Sequence, residues 1–325
     1  MSSGFTVATN EHLIRQNLYS NEITRMFQDD LFAQKWVRTI TDFPDGTTLN
    51  MPRMGQAESA DFQEGQAIKY SKFDTGNFTF TIDQYKYAAN SMSAKFKRDS
   101  FWAAEVEAAF APEQHRALMK GFEARVFNRA NAGQTSASPN LWNNFPHRMV
   151  ASGASGTIAF KDFNRAELAL RKANVPCRNL VAIVSPETAH QIQVNTAISG
   201  LLSPIPRWGN VSIDGLVSGF QFKFSVYGWD VYVSNYLPTD ITETISGSQP
   251  GAGTVTTNGQ VNLFFSAEPG NTLPWIAAFR QMPTVYSEFN KDLQQTELLT
   301  ICEYGVALYR PENMVIILTD KSAGI

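Results

Sequence analysis

Early in the chain, polar and apolar positions follow the period of strands. A turn signal, Pro44-Asp45-Gly46, opens onto a short extended run at residues 47–51. A polar, glycine-bearing middle follows from Gly55 to Gly65, and Phe78-Thr-Phe-Thr-Ile82 then alternates with a period of two. The phase slips next: Phe78, Phe80 and Ile82 sit on even positions, Tyr85 and Tyr87 on odd ones. Such a slip predicts a bulge or a change of strand. Residues 44–93 as a whole read as a long two-stranded arm with a polar end. A lone hairpin is at best marginally stable in water, so the arm needs support, and a neighbouring copy of the chain is the first candidate.

Helical spacing takes over behind the arm. Over residues 95–129, Trp102, Val106, Ala109 and Phe110 make one stripe and Leu118, Phe122 and Val126 another. Pro112 lies between them and predicts a kink or a restart. Residues 131–157 are rich in loop formers, but Leu141, Trp142 and Phe145 within them predict packing. Residues 160–174 predict a helix with Asp162 as its cap, Phe163, Ala166, Leu170 and Ala173 on one face, and Val175-Pro176 as its stop. Residues 180–184 read as a buried strand, and Ser185-Pro186-Glu187-Thr188 as the start of a helix running towards Ser199-Gly200. Helix, buried strand and helix indicate an α/β-type subdomain.

Further on, residues 217–226 and 229–234 alternate as strands, and the Thr/Ser/Gly-rich residues 239–259 predict an exposed loop. Residues 261–267 and 276–279 return to strand character. An extended run from Thr284 to Tyr309, the turn Arg310-Pro311-Glu312-Asn313 and the apolar residues 314–318 predict a terminal hairpin at the centre of a core sheet. Ahead of the arm, residues 1–43 carry scattered apolar positions (Ile14, Leu18, Met26, Leu31, Trp36) and fit either a packed helix or an arm lying on a neighbour.

Composition narrows the function. The 325 residues are 43% hydrophobic, enough for a large core. Charged residues make up only 18%, below the usual quarter, so part of the surface is expected to be covered by partners. Aromatics reach 12%, with 23 Phe, which suits extended interfaces as well as cores. A net charge of −3 argues against sequence-independent gripping of nucleic acid, though not against a shell enclosing it. Cys177 and Cys302 belong to no paired motif and read as buried free thiols. The first residues show no secretory signal and no run spans a membrane, so synthesis and assembly in cytoplasm are expected.

Candidate chemistry is sparse. His12, His115, His147 and His190 stand far apart, and no zinc, phosphate-loop, dinucleotide or calcium motif is present. Asp29 and Asp30 are adjacent on a helical stretch and diverge. Glu58, Asp61 and Glu64 fit a solvated loop or a charge contact with a neighbour better than a cation site. Lys95, Lys97 and Arg98 read as a solvated or ion-paired face. No catalytic, cofactor-binding or metal residue is assigned, no cofactor is expected, and the chain is not read as an enzyme.

Three stretches carry a resemblance. They are Lys172-Ala-Asn-Val-Pro176 followed by Leu180-Val-Ala-Ile-Val-Ser-Pro186; Gly228-Trp-Asp-Val-Tyr-Val-Ser-Asn-Tyr-Leu-Pro238; and Tyr304-Gly305-Val306 with Arg310-Pro311-Glu312 and Val315-Ile-Ile317. In this order they resemble the major capsid proteins of tailed bacteriophages, whose α+β fold is called HK-97-like. The resemblance implies an N-terminal arm at 1–43, an extended E-loop at 44–93, and a spine helix with the first part of the peripheral (P) domain at 94–159. It implies an axial (A) domain at 160–280 and the rest of the P domain at 281–325.

It also implies hexamers and pentamers in an icosahedral shell around double-stranded DNA, bound without sequence specificity, in the virion. The E-loop would lie over the adjacent subunit, with Met51, Met54, Phe62, Glu64, Phe73, Phe78 and Phe80 as contact candidates. Some family members cross-link this loop through a lysine. Lys69 and Lys72 lie in the arm, but no partner position matches, so no covalent cross-link is expected. The short stretch ahead of the arm leaves no room for a large scaffolding segment. A separate scaffolding protein, a portal protein and a decoration (cement) protein are the implied partners, with no membrane. The alternatives are an encapsulin-type nanocompartment shell of the same fold, which would hold cargo enzymes, and a soluble enzyme or carbohydrate-binding protein.

Overall fold

Two sheets and one long helix organise the chain. The structure, a computed structural model, describes residues 31–40, 46–54, 61, 64–65, 67, 75–100, 103–134, 140–194, 222–226, 228–246, 250–268 and 272–321. In chain order the regular elements are β1 (Val37–Ile40), β2 (Thr48–Met54), β3 (Thr75–Thr81), β4 (Gln84–Ser93), α1 (Ala94–Asp99), α2 (Ala103–Ala132), β5 (Leu141–Trp142), β6 (Phe145–Pro146), β7 (Arg148–Val150) and α3 (Phe160–Lys172). They continue as β8 (Leu180–Val184), α4 (Pro186–Val194), β9 (Phe222–Val226), β10 (Trp229–Val233), β11 (Ile241–Ile245), β12 (Gly253–Ser266), β13 (Trp275–Asn290), β14 (Gln295–Leu308) and β15 (Val315–Asp320).

The first sheet has the order β1-β13-β14-β4, with β1 parallel to β13 and the other pairs antiparallel. The second runs β7-β15-β12-β8-β10-β9, with β11 paired to β12. In it β8 lies parallel to β10 and β7 parallel to β15. Aromatic side chains fill the main core: Trp36 meets Phe265 edge-on at 5.7 Å, and Phe265 meets Trp275 at 5.0 Å. Burying each such ring contributes roughly 1.5–3 kcal/mol.

The 30-residue α2 lies on the first sheet through the predicted stripe Leu118, Phe122 and Val126, all buried. Phe122 packs against Phe279 and Tyr304, with centroids at 5.1 and 5.3 Å. The sequence places a break at Pro112, yet α2 runs through it. Pro112 sits on the exposed side, as does Ala108, whose carbonyl loses its helical donor there and faces water instead. Two residues on, the buried Gln114 donates to Asn90 Oδ1 (2.8 Å) and Leu298 O (3.1 Å) and accepts from Thr300 Oγ1 (2.6 Å). These bonds hold the helix on the sheet just past the proline. The helical run breaks earlier, where α1 ends at Ser100.

Several expectations need correction. Residues 84–93 do not belong to the arm: the phase slip marks a change of strand, and β4 pairs with β14 along its whole length. Residues 239–259 do not form an exposed loop, because β11 and the start of β12 pair as a hairpin with Ile245 and Val255 buried. Threonines that suggest a loop here serve a strand. The terminal hairpin is also not one: β14 lies in the first sheet and β15 in the second. The short helical turn Pro311–Asn313 carries the chain from one to the other. Both strands are nonetheless interior to their sheets. Asp162 is not the cap residue of α3, since the N-cap is Ala159; its carboxylate reaches back to accept Ala159 N–H at 2.9 Å and Ser152 N–H at 2.9 Å. The predicted start of α4 holds, with Ser185 Oγ accepting Thr188 N–H at 3.2 Å. The end of that helix past Val194, residues 217–221 and most of 1–43 lie outside the described residues.

Candidate functional site

The arm, β2 and β3, is a regular antiparallel hairpin from Thr48↔Thr81 to Met54↔Thr75. Ile82 N–H closes its base on Thr47 O at 2.8 Å. The period of two puts Leu49, Met51, Phe78 and Phe80 on one face and Thr48, Asn50, Thr79 and Thr81 on the other. Thr79 donates to Asn50 across the polar face at 3.0 Å. The apolar face lies on its own chain. Phe80 and Ile82 cluster with Ile276 and Ala278, and Ile40, Leu49, Met51, Phe78, Ala307 and Tyr309 pack around them. Phe78 meets the Tyr309 ring edge-on at 5.2 Å. The base of the arm is therefore supported from within the chain.

Of the contact candidates, Phe80 is corrected by this geometry: it is fully enclosed by its own chain and has no surface for a neighbour. Met51 and Phe78 are half-buried, and Glu64 is exposed in a turn. Met54 is placed by its backbone at the end of β2; Phe62 and Phe73 lie outside the described residues, as do Glu58, Lys69 and Lys72.

At the root, the chain passes from β3 to β4 through Ile82 and Asp83. Asp83 Oδ2 accepts from Arg125 Nη2 at 2.5 Å and from Arg129 Nη2 at 2.6 Å, both on α2. The crossing rides directly over Gly305 of β14. A Cβ there would lie 2.6 Å from Thr81 O and 2.9 Å from Ile82 Cα, so the close approach requires glycine. Sequence reading missed this root, since Arg125, Arg129 and Gly305 are remote in the chain and carry no local signal.

A second surface missed in the sequence is the distal part of the first sheet. Tyr85 and Tyr87 on the edge strand β4 are 62% and 69% exposed, and Tyr286 on β13 is 51% exposed. Tyr87 pairs with Ile301 and Tyr286 with Leu299, positions that alternate with the Thr300 that α2 covers. These tyrosines therefore share the sheet face turned away from the helix.

The described residues offer little for catalysis. Burial pushes the Cys302 thiol up to about 11 and the Tyr304 hydroxyl up to about 12, so neither supplies an anion near neutral pH. Burial also raises Cys177. Two hollows of about 260 and 320 Å³ lie on the surface, and neither lining pairs a hydroxyl or thiol with a histidine. Among the described residues, no cluster of three or more His, Cys, Asp or Glu is disposed to hold a metal ion, and no helix is long and apolar enough to cross a membrane. Lys97 pairs with Glu107 at 2.6 Å, as a bland reading of the basic stretch expects.

No family model and no curated protein matches the sequence. Solved structures do match it over nearly its whole length. The capsid asymmetric unit of cyanophage Pam1 aligns with a TM-score of 0.71 at 14% identity, covering 99% of both chains. The capsid of cyanophage P-SCSP1u aligns at 0.69 and 14% identity, covering 97% of this chain and 94% of that one. The capsid of Ralstonia phage GP4 aligns at 0.66 and 11% identity, covering 99% and 100%. The likeness is one of fold: the chain has the α+β, HK-97-like fold of phage capsid proteins.

Proposed function

We propose that the chain is a major capsid protein, assembling as hexamers and pentamers into an icosahedral shell that encloses double-stranded phage DNA. The observation that carries the reading is the end-to-end likeness to capsid chains, with 99% of both chains covered in one case. The role is mechanical and not enzymatic. The arm is assigned as the E-loop, α2 as the spine helix, residues 160–280 as the A domain, and the first sheet as the body of the P domain. The arm beyond its base, with Met54, Phe62, Glu64 and Phe73, is assigned to a neighbouring subunit, together with the sides of the half-buried Met51 and Phe78 that their own chain leaves open. Phe80 serves that contact indirectly by fixing the root. A net charge of −3 fits a wall that surrounds DNA without gripping it. A separate scaffolding protein and a portal are the assigned partners, a decoration protein is a further candidate, and assembly is assigned to the cytoplasm of the host.

Negative-stain microscopy and sedimentation of the purified chain test the reading. Hexamers, pentamers and irregular shells are expected from the chain alone; a monomer at every concentration would overturn it. Uniform closed shells without any helper would remove the separate scaffolding protein from the scheme. Deleting residues 55–65 should leave a folded chain that assembles poorly, and normal shells from that variant would free the arm of its assigned role.

A further inference from the structure

Asp83 stands at the joint between two strands of different sheets, β3 in the arm and β4 in the body. The guanidiniums of Arg125 and Arg129 that hold its carboxylate are one turn apart, so they project from the same side of α2. All three side chains keep about a third of their surface open to water, at 30%, 30% and 37%. Just before them, Thr81 and Ile82 rest on Gly305 by backbone contact. That contact and the Phe80–Ile276 cluster fix where the arm leaves the body. The apolar contacts of the arm, Phe78 against Tyr309 among them, resist rotation about the crossing point, but only through non-directional packing. A carboxylate gripped twice by a rigid helix adds a directional restraint.

We propose that Asp83 is a positioning residue. With Arg125 and Arg129 it forms a salt-sensitive latch that sets the angle of the arm against the spine helix, and through it the geometry with which the arm reaches the next subunit. The last clause rests on the shell reading; the latch itself does not. Partly exposed ion pairs are screened by salt, with a Debye length near 14 Å at about 0.05 M and about 4 Å at about 0.5 M. Two cations share one carboxylate here. Loss of Asp83 therefore removes two bonds and also leaves like charges facing each other one turn apart.

The test is hydrogen exchange of the unassembled full chain at low and high sodium chloride, for the wild type, Asp83→Asn, Asp83→Glu and Arg129→Gln. In Asp83→Asn the amides of β2 and β3 should exchange about tenfold faster than in the wild type at low salt. Asp83→Glu should recover most of that, and Arg129→Gln should fall between. Exchange in β12 and β15 should stay unchanged, and the salt dependence of the arm should vanish in Asp83→Asn. Where shells form, Asp83→Asn should give a broadened distribution of diameters and Asp83→Glu a near-normal one. Arm exchange indifferent to both Asp83→Asn and salt overturns the latch, as does an equal rise in β12 and β15, which would mark general destabilisation. A salt-dependent arm in a chain that never builds particles would keep the latch and discard the shell reading.

Discussion

Glu123 Oε2 accepts the backbone N–H of Phe32 at 2.8 Å, joining the spine helix to a residue 91 positions earlier. The same oxygen takes the Ala33 N–H at 3.2 Å, and Ser234 Oγ donates to the other oxygen at 3.3 Å. The carboxylate is buried, and burying a charge is tolerable only when donors surround it. The free N–H groups at the start of the turn Ala33–Trp36 provide them. This anchor seats Phe32 and Trp36 in the core and aims the chain into β1. Glu123→Ala should cost about 2–4 kcal/mol, because it orphans two buried N–H groups. Glu123→Gln, which keeps an acceptor oxygen, should cost less. Denaturant midpoints of the unassembled chain measure both, and an unshifted midpoint for the alanine variant would mean the anchor carries no stability.

Gly305 and Gly121 should respond to alanine with opposite signs. At Gly305 the added Cβ collides with backbone of Thr81 and Ile82, which cannot swing aside as a flexible side chain would, so a loss of about 1–3 kcal/mol is expected. At Gly121, in the middle of α2 and exposed, nothing lies within 4 Å of the added atom. There the substitution should gain about 0.5–1 kcal/mol through helix propensity. Thermal unfolding of the two variants side by side checks the pair of signs.

Local signals in the chain reach as far as element starts and strand parity. Ser185-Pro186 announces α4, and the slip between Phe80 and Tyr85 announces a new strand. Parity does not say which strand lies alongside, so β4 reads as arm when its partner β14 is a distant one. Continuity misleads at Arg310–Asn313 for the same reason, since two apolar runs joined by a turn look like a hairpin whether or not they pair. The Thr-rich stretch 239–259 fails differently: threonine suits both loops and strands, and only pairing with β12 decides. The apolar face of the arm is legible as alternation, whereas its latch is not, because Asp83 lies 42 and 46 positions from its arginines.

His147 predicts a pH window. Burial lowers its pKa to about 4 from an ordinary 6.5, outweighing the carbonyls of Phe145, Glu312 and Asn140 and the Glu312 carboxylate, which pull it up. The unfolded chain therefore binds a proton near pH 6.5 that the folded chain refuses until about pH 4. Stability from this group is fully present above pH 6.5 and is lost as pH falls towards 4, in total roughly 3 kcal/mol. In His147→Gln the stability lost between pH 6.5 and 4 should shrink by that amount. Chemical denaturation at several pH values gives the difference, and parallel curves for the two chains would exclude His147 as the cause.

Arg148 and Glu243 form the most buried ion pair among the described residues, their side chains only 3% and 11% exposed. Arg148 Nε donates to both Glu243 oxygens at 2.9 and 3.0 Å, and Nη2 donates to Glu243 and to Asn131 Oδ1. The pair thus ties β7 and β11 to the C-terminal turn of α2. Removing one partner leaves the other charge buried and unmatched, so Arg148→Met and Glu243→Gln should each cost about 3–5 kcal/mol. Replacing both by apolar residues of similar volume removes the desolvation penalty along with the attraction, so the double variant Arg148→Met/Glu243→Leu should be less damaged than either single one. A double-mutant cycle on unfolding midpoints resolves this. If the two losses simply add, Arg148 and Glu243 are not coupled and the ion pair carries no stability of its own.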